Sequence, residues 1–216
     1  MAPVRFRYST VELDDVDIHL RTLCDNQQYD DPEGLADSLG ISSAIWPLFG
    51  VLWESGEVLA DSVKDLDVTS LRILEVGCGI GLASLLLNLR QADITASDHH
   101  PRADEFLQHN AKLNNSQPIP FFRSNWSTDA STNGRFDLII GSDLLYEPNH
   151  AELLSAFINQ HAQPIAKVII VDPRRGNGPS FCKRMLGYGF EREQRELEGL
   201  GGVNQAFKGK VYRFTR

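Results

Sequence analysis

The stretch "LEVGCGIGLAS", residues 74–84, sets Gly77, Gly79 and Gly81 at alternate positions between two apolar runs. Glycine surrenders more backbone freedom on folding than any other residue, so three within five positions point to a close approach to the backbone. One glycine would suffice for a tight turn, so the cluster reads as a ligand loop. Dinucleotide folds use G-x-G-x-x-G and seat a pyrophosphate on the following helix. Here the spacing is G-x-G-x-G, and Glu75 stands two residues ahead of the first glycine. A carboxylate there disfavours a pyrophosphate and suits a cationic ligand. Asp98 closes "ITASD" about 20 residues further on, where an acid takes both hydroxyls of a ribose. An acid in that place also occurs in dehydrogenases, and a helix cap before Pro101 is its structural alternative.

A second group follows the apolar run "FDLIIGS". Asp143 and Tyr146 stand in "SDLLYE", an acid and a phenol at the end of a buried strand. A carboxylate attracts a cation or a hydrogen-bond donor, and an aromatic face attracts a cation. The alternative is that Asp143 caps a helix and Tyr146 packs in the core. Arg174 and Arg175, in "VDPRRGNG", follow the next strand and suit an acidic partner surface or plain solvation. His99 and His100 are adjacent and have no cysteine or carboxylate at ligand spacing, so no metal site is expected.

These residues need a scaffold that brings strand ends together. "LRILEVG", "ADITASD", "IPFFRSN", "FDLIIGSD" and "AKVIIVD" read as strands. They alternate with helices over "LASLLLNLR", "RADEFLQHNAKLN", "HAELLSAFINQHA" and "PSFCKRMLGYG". Continuous apolar strands alternating with helices imply a parallel sheet covered on both faces. The end breaks the rhythm: "FEREQREL" and "KGKVYRFTR" flank the loop "EGLGGVNQAF" and read as an antiparallel hairpin. Ahead of the alternation, "VRFRYSTVEL" and "VDIHLRTL" alternate apolar and polar residues, as half-buried strands do. A helix is expected from about Phe49, on the spacing Leu52, Gly56, Leu59 and Val63.

The 216 residues carry a formal net charge of −8, and 42% are hydrophobic. That suits one domain with a short extension, and an acidic chain lacks the pull that dominates nucleic-acid affinity. No stretch has the length of a membrane span. Three scattered cysteines form no disulfide framework, so the expected compartment is the cytoplasm.

The acid, the alternate glycines and the C-terminal hairpin resemble the seven-strand (class I) S-adenosylmethionine-dependent methyltransferases. "VLWESGEVLA", "SNWST" and "GSDLLYE" are similar to segments of that class's methyltransferase-16 group of protein-lysine methyltransferases, in the same order along the chain. The resemblance implies a Rossmann-like, seven-stranded, mostly parallel sheet over residues 46–216; the N-terminal β extension over residues 1–45 rests on the strand alternation alone and departs from the group, whose members usually lack it or carry a different one. It implies S-adenosylmethionine as cofactor, S-adenosylhomocysteine as product and a protein lysine as acceptor. Trp53, Glu75, Gly77, Gly79, Gly81, Asp98, His99, Asn125, Trp126 and Ser142 would line the cofactor site, with Glu75 near the methionine end and Trp126 near the adenine. Asp143 and Tyr146 would face the acceptor. The rival readings are methylation of a small-molecule amine or another protein side chain, a cofactor-binding module without turnover, and an NAD-dependent oxidoreductase.

Overall fold

The computed structural model describes residues 4–25, 29–127, 133–193 and 207–216. Its centre is a seven-stranded sheet. Strand β3 (Arg72–Val76) lies in the middle and pairs in parallel with β4 (Asp93–Asp98) on one side and β6 (Phe136–Ser142) on the other. β5 (Phe121–Arg123) extends the β4 side, and β7 (Ala162–Asp172) extends the β6 side, both in parallel. β9 (Lys210–Thr215) pairs antiparallel with β7, and β8 (Glu191–Arg192) pairs antiparallel with β9. The order is therefore β5-β4-β3-β6-β7-β9-β8. The chain runs outward from β3 through β4 to β5 and then returns to the other side of β3. That reversal leaves a crevice beyond the carboxyl ends of β3 and β6, the place where open α/β sheets bind ligands.

Strand alternation sorts the core into two layers. Ile73, Leu138, Ile140, Ile169 and Val171 face one layer, which includes residues of helices α2 (Glu54–Val63), α3 (Leu82–Leu89) and α4 (Ala103–Leu113). Leu74, Val76, Ile139, Val168 and Ile170 face the other, with α5 (His150–His161) and α6 (Gly178–Gly187). A short helix, α1 (Leu35–Ser38), and a 3-10 turn (Ser43–Leu48) precede α2.

The expected N-terminal strand pair is present as β1 (Phe6–Leu13) and β2 (Val16–Leu23), an antiparallel two-stranded sheet. Its apolar face does not stand apart: Val11, Leu13, Ile18, Leu20 and Leu23 join the layer that contains α2 and α3. The outer edge of β2 is closed by Asn110 of α4 and Asn114, the residue that caps its end. The Arg21 amide donates to Asn110 Oδ1 and the His19 amide to Asn114 Oδ1, each at 2.8 Å. Two side-chain amides thus substitute for a third strand.

The helix expected from Phe49 begins instead at Glu54. Gly50 adopts φ 80°, and a Cβ there would lie 2.6 Å from Leu23 Cδ1. The Gly50 carbonyl accepts the Leu23 amide at 2.7 Å, which ties the segment to β2 and keeps Leu52 off the helix. Of the expected terminal hairpin, "KGKVYRFTR" forms β9, "FEREQREL" is a strand at Glu191–Arg192, and residues 194–206 lie outside the described residues.

Candidate cofactor and acceptor site

A cavity of about 260 Å³ occupies the crevice at the strand ends. Gly77 and Gly79 form part of its wall, with Asp98 and His99 after β4, Asn125 and Trp126 after β5, and Ser142, Asp143 and Tyr146 after β6. Trp53, the residue that caps α2, completes the set. Of the residues expected at the site, Glu75 and Gly81 do not line it.

The three loop glycines have three different tasks. All adopt left-handed backbone, with φ of 63°, 57° and 82° in order. A Cβ on Gly81 would meet Leu107 Cδ1 at 2.2 Å, so this glycine lets α3 pack on α4. A Cβ on Gly77 would meet Leu144 Cδ2 at 2.3 Å, so it lets the β6 loop cross β3. A Cβ on Gly79 would meet nothing within 4 Å: its free space is the cavity itself.

Glu75 is displaced from its expected place for a reason of strand geometry. Its side chain alternates with those of Leu74 and Val76 and faces α3, where it is 4% exposed. There it accepts the Ser84 amide at 2.8 Å and also the Ser84 hydroxyl. Burial pushes its carboxyl up to about 7, against the pull of those two bonds. Glu75 therefore holds the first turn of α3 to β3 from beneath the loop.

Asp98 lines the cavity. Its carboxylate accepts the Gly79 amide at 2.8 Å and the His100 amide at 2.7 Å. Burial raises its pKa, offset by those two amides. It does not cap α4, whose N-cap residue is Arg102. His99 Nδ1 is buried at the cavity and has no partner among the described residues. An unpartnered polar atom, a carboxylate with free lone pairs and a glycine facing open space together fit a polar, hydroxyl-bearing ligand with room for a nucleoside.

Asp143 stands at φ 54° directly after β6, and no helix follows it until His150, so it is not a cap. Tyr146 is 36% exposed, and burial of its hydroxyl pushes it up to about 12, so it stays a phenol at neutral pH.

The sequence signals missed several lining residues. His150 lies edge-on to both Tyr146 and Trp126, with ring centroids 4.5 and 5.3 Å apart. Its Nδ1 is 2.8 Å from the Leu144 carbonyl, which only accepts, so Nδ1 carries the proton and Nε2 the lone pair. Burial lowers its pKa, keeping it neutral. Ile41, Ile45, Leu48 and Phe49 form an apolar cover. Phe49 stacks on His100 at 3.6 Å, and burial holds His100 neutral, with its pKa down to about 3. The apolar, aromatic run "AIWPLFGVLW" was the available signal for this cover. Arg175, an exposed residue, also lines the cavity and contacts Asp143. Among the described residues no cluster has the composition of a metal site.

Comparison with known proteins agrees with this geometry. The chain is 28% identical over 133 residues to the electron transfer flavoprotein beta subunit lysine methyltransferase of Mus musculus, covering 60% of this chain and 51% of that protein. It is 24% identical over 180 residues to EEF1A lysine methyltransferase 3 of Mus musculus, covering 80% and 74%. It is 32% identical over 117 residues to histone-arginine methyltransferase METTL23 of Xenopus laevis, covering 50% and 46%. The chain thus spans about half the length of the first of these relatives. Among solved structures, magnesium protoporphyrin IX methyltransferase from Synechocystis, with bound SAM, superposes with a TM-score of 0.60 at 18% identity, over 87% of this chain and 98% of that one. At that identity the likeness establishes the fold. The profile of the lysine methyltransferase family matches residues 41–186, and the chain belongs to that family.

Proposed function

We propose that this protein is an S-adenosylmethionine-dependent N-methyltransferase acting on a lysine side chain of another protein. The observation that carries the reading is one cavity lined by two chemically distinct sets of residues: the Gly79 cradle, Asp98 and the unpartnered His99 nitrogen, and beside them the Asp143 carboxylate and the Tyr146 phenol. Family membership and the protein-lysine methyltransferases among its relatives support it.

Bound S-adenosylmethionine would supply an electrophilic methyl group on a sulfonium. Asp98 would hold the ribose hydroxyls, the Gly79 backbone would admit the ligand, and Trp126 would offer its ring to the base. Trp53, Asn125 and Ser142 would line the remainder. The residues facing the acceptor then have simple duties. Asp143 accepts a hydrogen bond from the incoming nitrogen and stabilises positive charge as it develops there. Tyr146 contributes a phenol oxygen that can accept from the incoming N–H and an aromatic wall that favours a cation. The apolar cover excludes water, which strengthens each of these interactions. Alignment of acceptor and donor supplies most of the acceleration in a reaction of this kind.

An acidic protein, with no helix among the described residues long and apolar enough to cross a membrane, fits a protein acceptor in the cytoplasm better than a nucleic acid or a lipid. A second reading, methylation of an arginine, has its own support: one relative is a histone-arginine methyltransferase.

The test is incubation with radiolabelled S-adenosylmethionine and cell lysate, followed by acid hydrolysis of the labelled bands. Methyl-lysine supports the first reading and methylarginine the second. Label in small molecules alone would overturn both. Calorimetric binding of NAD in place of S-adenosylhomocysteine would indicate an oxidoreductase.

A further inference from the structure

Asp143 has a partner that the sequence left unassigned. Arg175 Nε donates to Asp143 Oδ1 and Arg175 Nη2 to Asp143 Oδ2, each at 2.8 Å. The two residues stand at the ends of neighbouring parallel strands, and both line the cavity. The carboxylate is the better covered partner, with its side chain 13% exposed against 38% for the arginine.

Both stems are anchored. The Asp143 amide donates to the Val171 carbonyl at 2.8 Å, which pins the β6 end to β7. The Arg175 amide donates to Asp172 Oδ1 at 3.2 Å, and Asp172 is 1% exposed. Arg174 adopts φ 68°, which turns the chain so that its neighbour Arg175 reaches back across the strand ends. A fork with two parallel bonds and two anchored stems fixes the plane of the carboxylate as well as its position.

Two roles suit such an arginine, and lone-pair arithmetic separates them. An arginine that blocked the acid would need to leave before an acceptor entered. A carboxylate has about four acceptor positions. Arg175 uses two, one on each oxygen, so each oxygen retains a lone pair for an incoming N–H while the fork stays closed.

We propose that Arg175 is the positioning residue of Asp143: its bidentate fork holds the carboxylate in the orientation that receives the acceptor nitrogen, and it acts on methyl transfer only through Asp143. This rests on the reading of Asp143 as the acceptor-facing acid. Lysine at position 175 keeps the charge but loses the planar fork, so it restores the function only partly.

The experiment is a double-mutant cycle on the whole protein. It reads methyl transfer from radiolabelled S-adenosylmethionine into lysate protein, with calorimetric S-adenosylhomocysteine binding and thermal unfolding as controls. Arg175→Gln is expected to lower transfer tenfold or more, up to about the 10²-fold that misplacement of a reacting group costs. Cofactor affinity should change less than twofold. In an Asp143→Asn background the same substitution should cost nothing further. Arg175→Lys should fall between Arg175→Gln and the unmutated protein. Losses that multiply in the double variant would show that Arg175 acts on its own and would overturn the proposal. So would an Arg175→Gln variant as active as the unmutated protein, or a faster one, which would make the arginine a competitor for the acid.

A measurement without turnover covers the case of a misfolded variant. Exchange of the Arg175 Nε proton, followed by nitrogen-edited NMR in the unmutated protein, should be slowed relative to the exposed Arg174. Equal rates would overturn the fork in solution. Full activity in Asp143→Asn would overturn the role of the acid itself and this inference with it. A protein that labels nothing, yet shows the slowed proton, would overturn the methyltransferase reading and leave Arg175 a structural role alone.

Discussion

The Gly79 amide donates to Asp98 Oδ2 at 2.8 Å, so the cavity-facing glycine of one strand end is held by the acid of the next. The parallel pairing of β3 and β4 brings these residues together, and the same acid takes the His100 amide. Asp98 therefore shapes the loop before any ligand arrives, and its removal has two effects.

Asp98→Ala should weaken S-adenosylhomocysteine binding by roughly 1.5–3 kcal/mol for each charge-assisted bond lost, a factor of about 10 or more in affinity. Asp98→Asn keeps one acceptor and should retain more. Titration calorimetry of both variants checks this. Equal affinity in a folded Asp98→Ala variant would remove the ribose role.

Gly79→Ala and Gly81→Ala should fail in different ways. Both place a side chain in left-handed backbone, at about 1–2 kcal/mol. Gly79 faces open space, so its variant should fold and bind cofactor poorly. Gly81 faces Leu107, so its variant should lose a further 1–3 kcal/mol of stability by about the usual scale of overpacking. Urea unfolding beside calorimetry separates the two, and equal stabilities would contradict the packing role of Gly81.

Glu75 makes stability depend on pH with a defined sign. The unfolded carboxyl releases its proton near 4.5 and the folded one near 7. Between those values the folded state binds the extra proton, so this contribution is fully present below 4.5 and is lost as pH rises to 7. The loss is on the order of 3 kcal/mol. Glu75→Gln keeps an acceptor for Ser84 and should flatten the profile over that window. Parallel urea-midpoint profiles for the two proteins from pH 4.5 to 8 would show that Glu75 does not titrate this way.

Asn110 joins three parts of the fold. It is fully buried, accepts the Arg21 amide at 2.8 Å and donates to the Ile80 carbonyl at 3.2 Å. Asn110→Ala leaves those two groups unmet and should cost about 2–6 kcal/mol, at roughly 1–3 per buried group. Because Ile80 lies in the glycine loop, cofactor affinity should fall as well. Denaturant unfolding with calorimetry checks both, and a loss confined to stability would uncouple the hairpin from the loop.

Asp143→Asn should reduce methyl transfer by on the order of 10²-fold, the scale of losing one electrostatic stabiliser. Cofactor affinity should move little if the acid serves the acceptor, as proposed above. Initial rates with labelled lysate protein and calorimetry together decide it.

Local pattern carried what depends on local rules. The alternation of buried strands and helices, the glycine loop between β3 and α3 and Asp98 at the end of β4 were legible because strand period and left-handed backbone leave their mark within a few residues. What the sequence did not show depends on contacts between distant segments. Glu75 turns to Ser84 because strand alternation points it under a helix whose placement the sequence does not state. The helix expected from Phe49 starts at Glu54 because Leu23, on another sheet, presses on Gly50. Gly79 and Gly81 look alike in sequence and differ only in whether Leu107 or open space lies opposite. Asp143 and Arg175 are 32 positions apart, and only the parallel pairing of β6 with β7 brings the carboxylate and the guanidinium to one edge of the sheet.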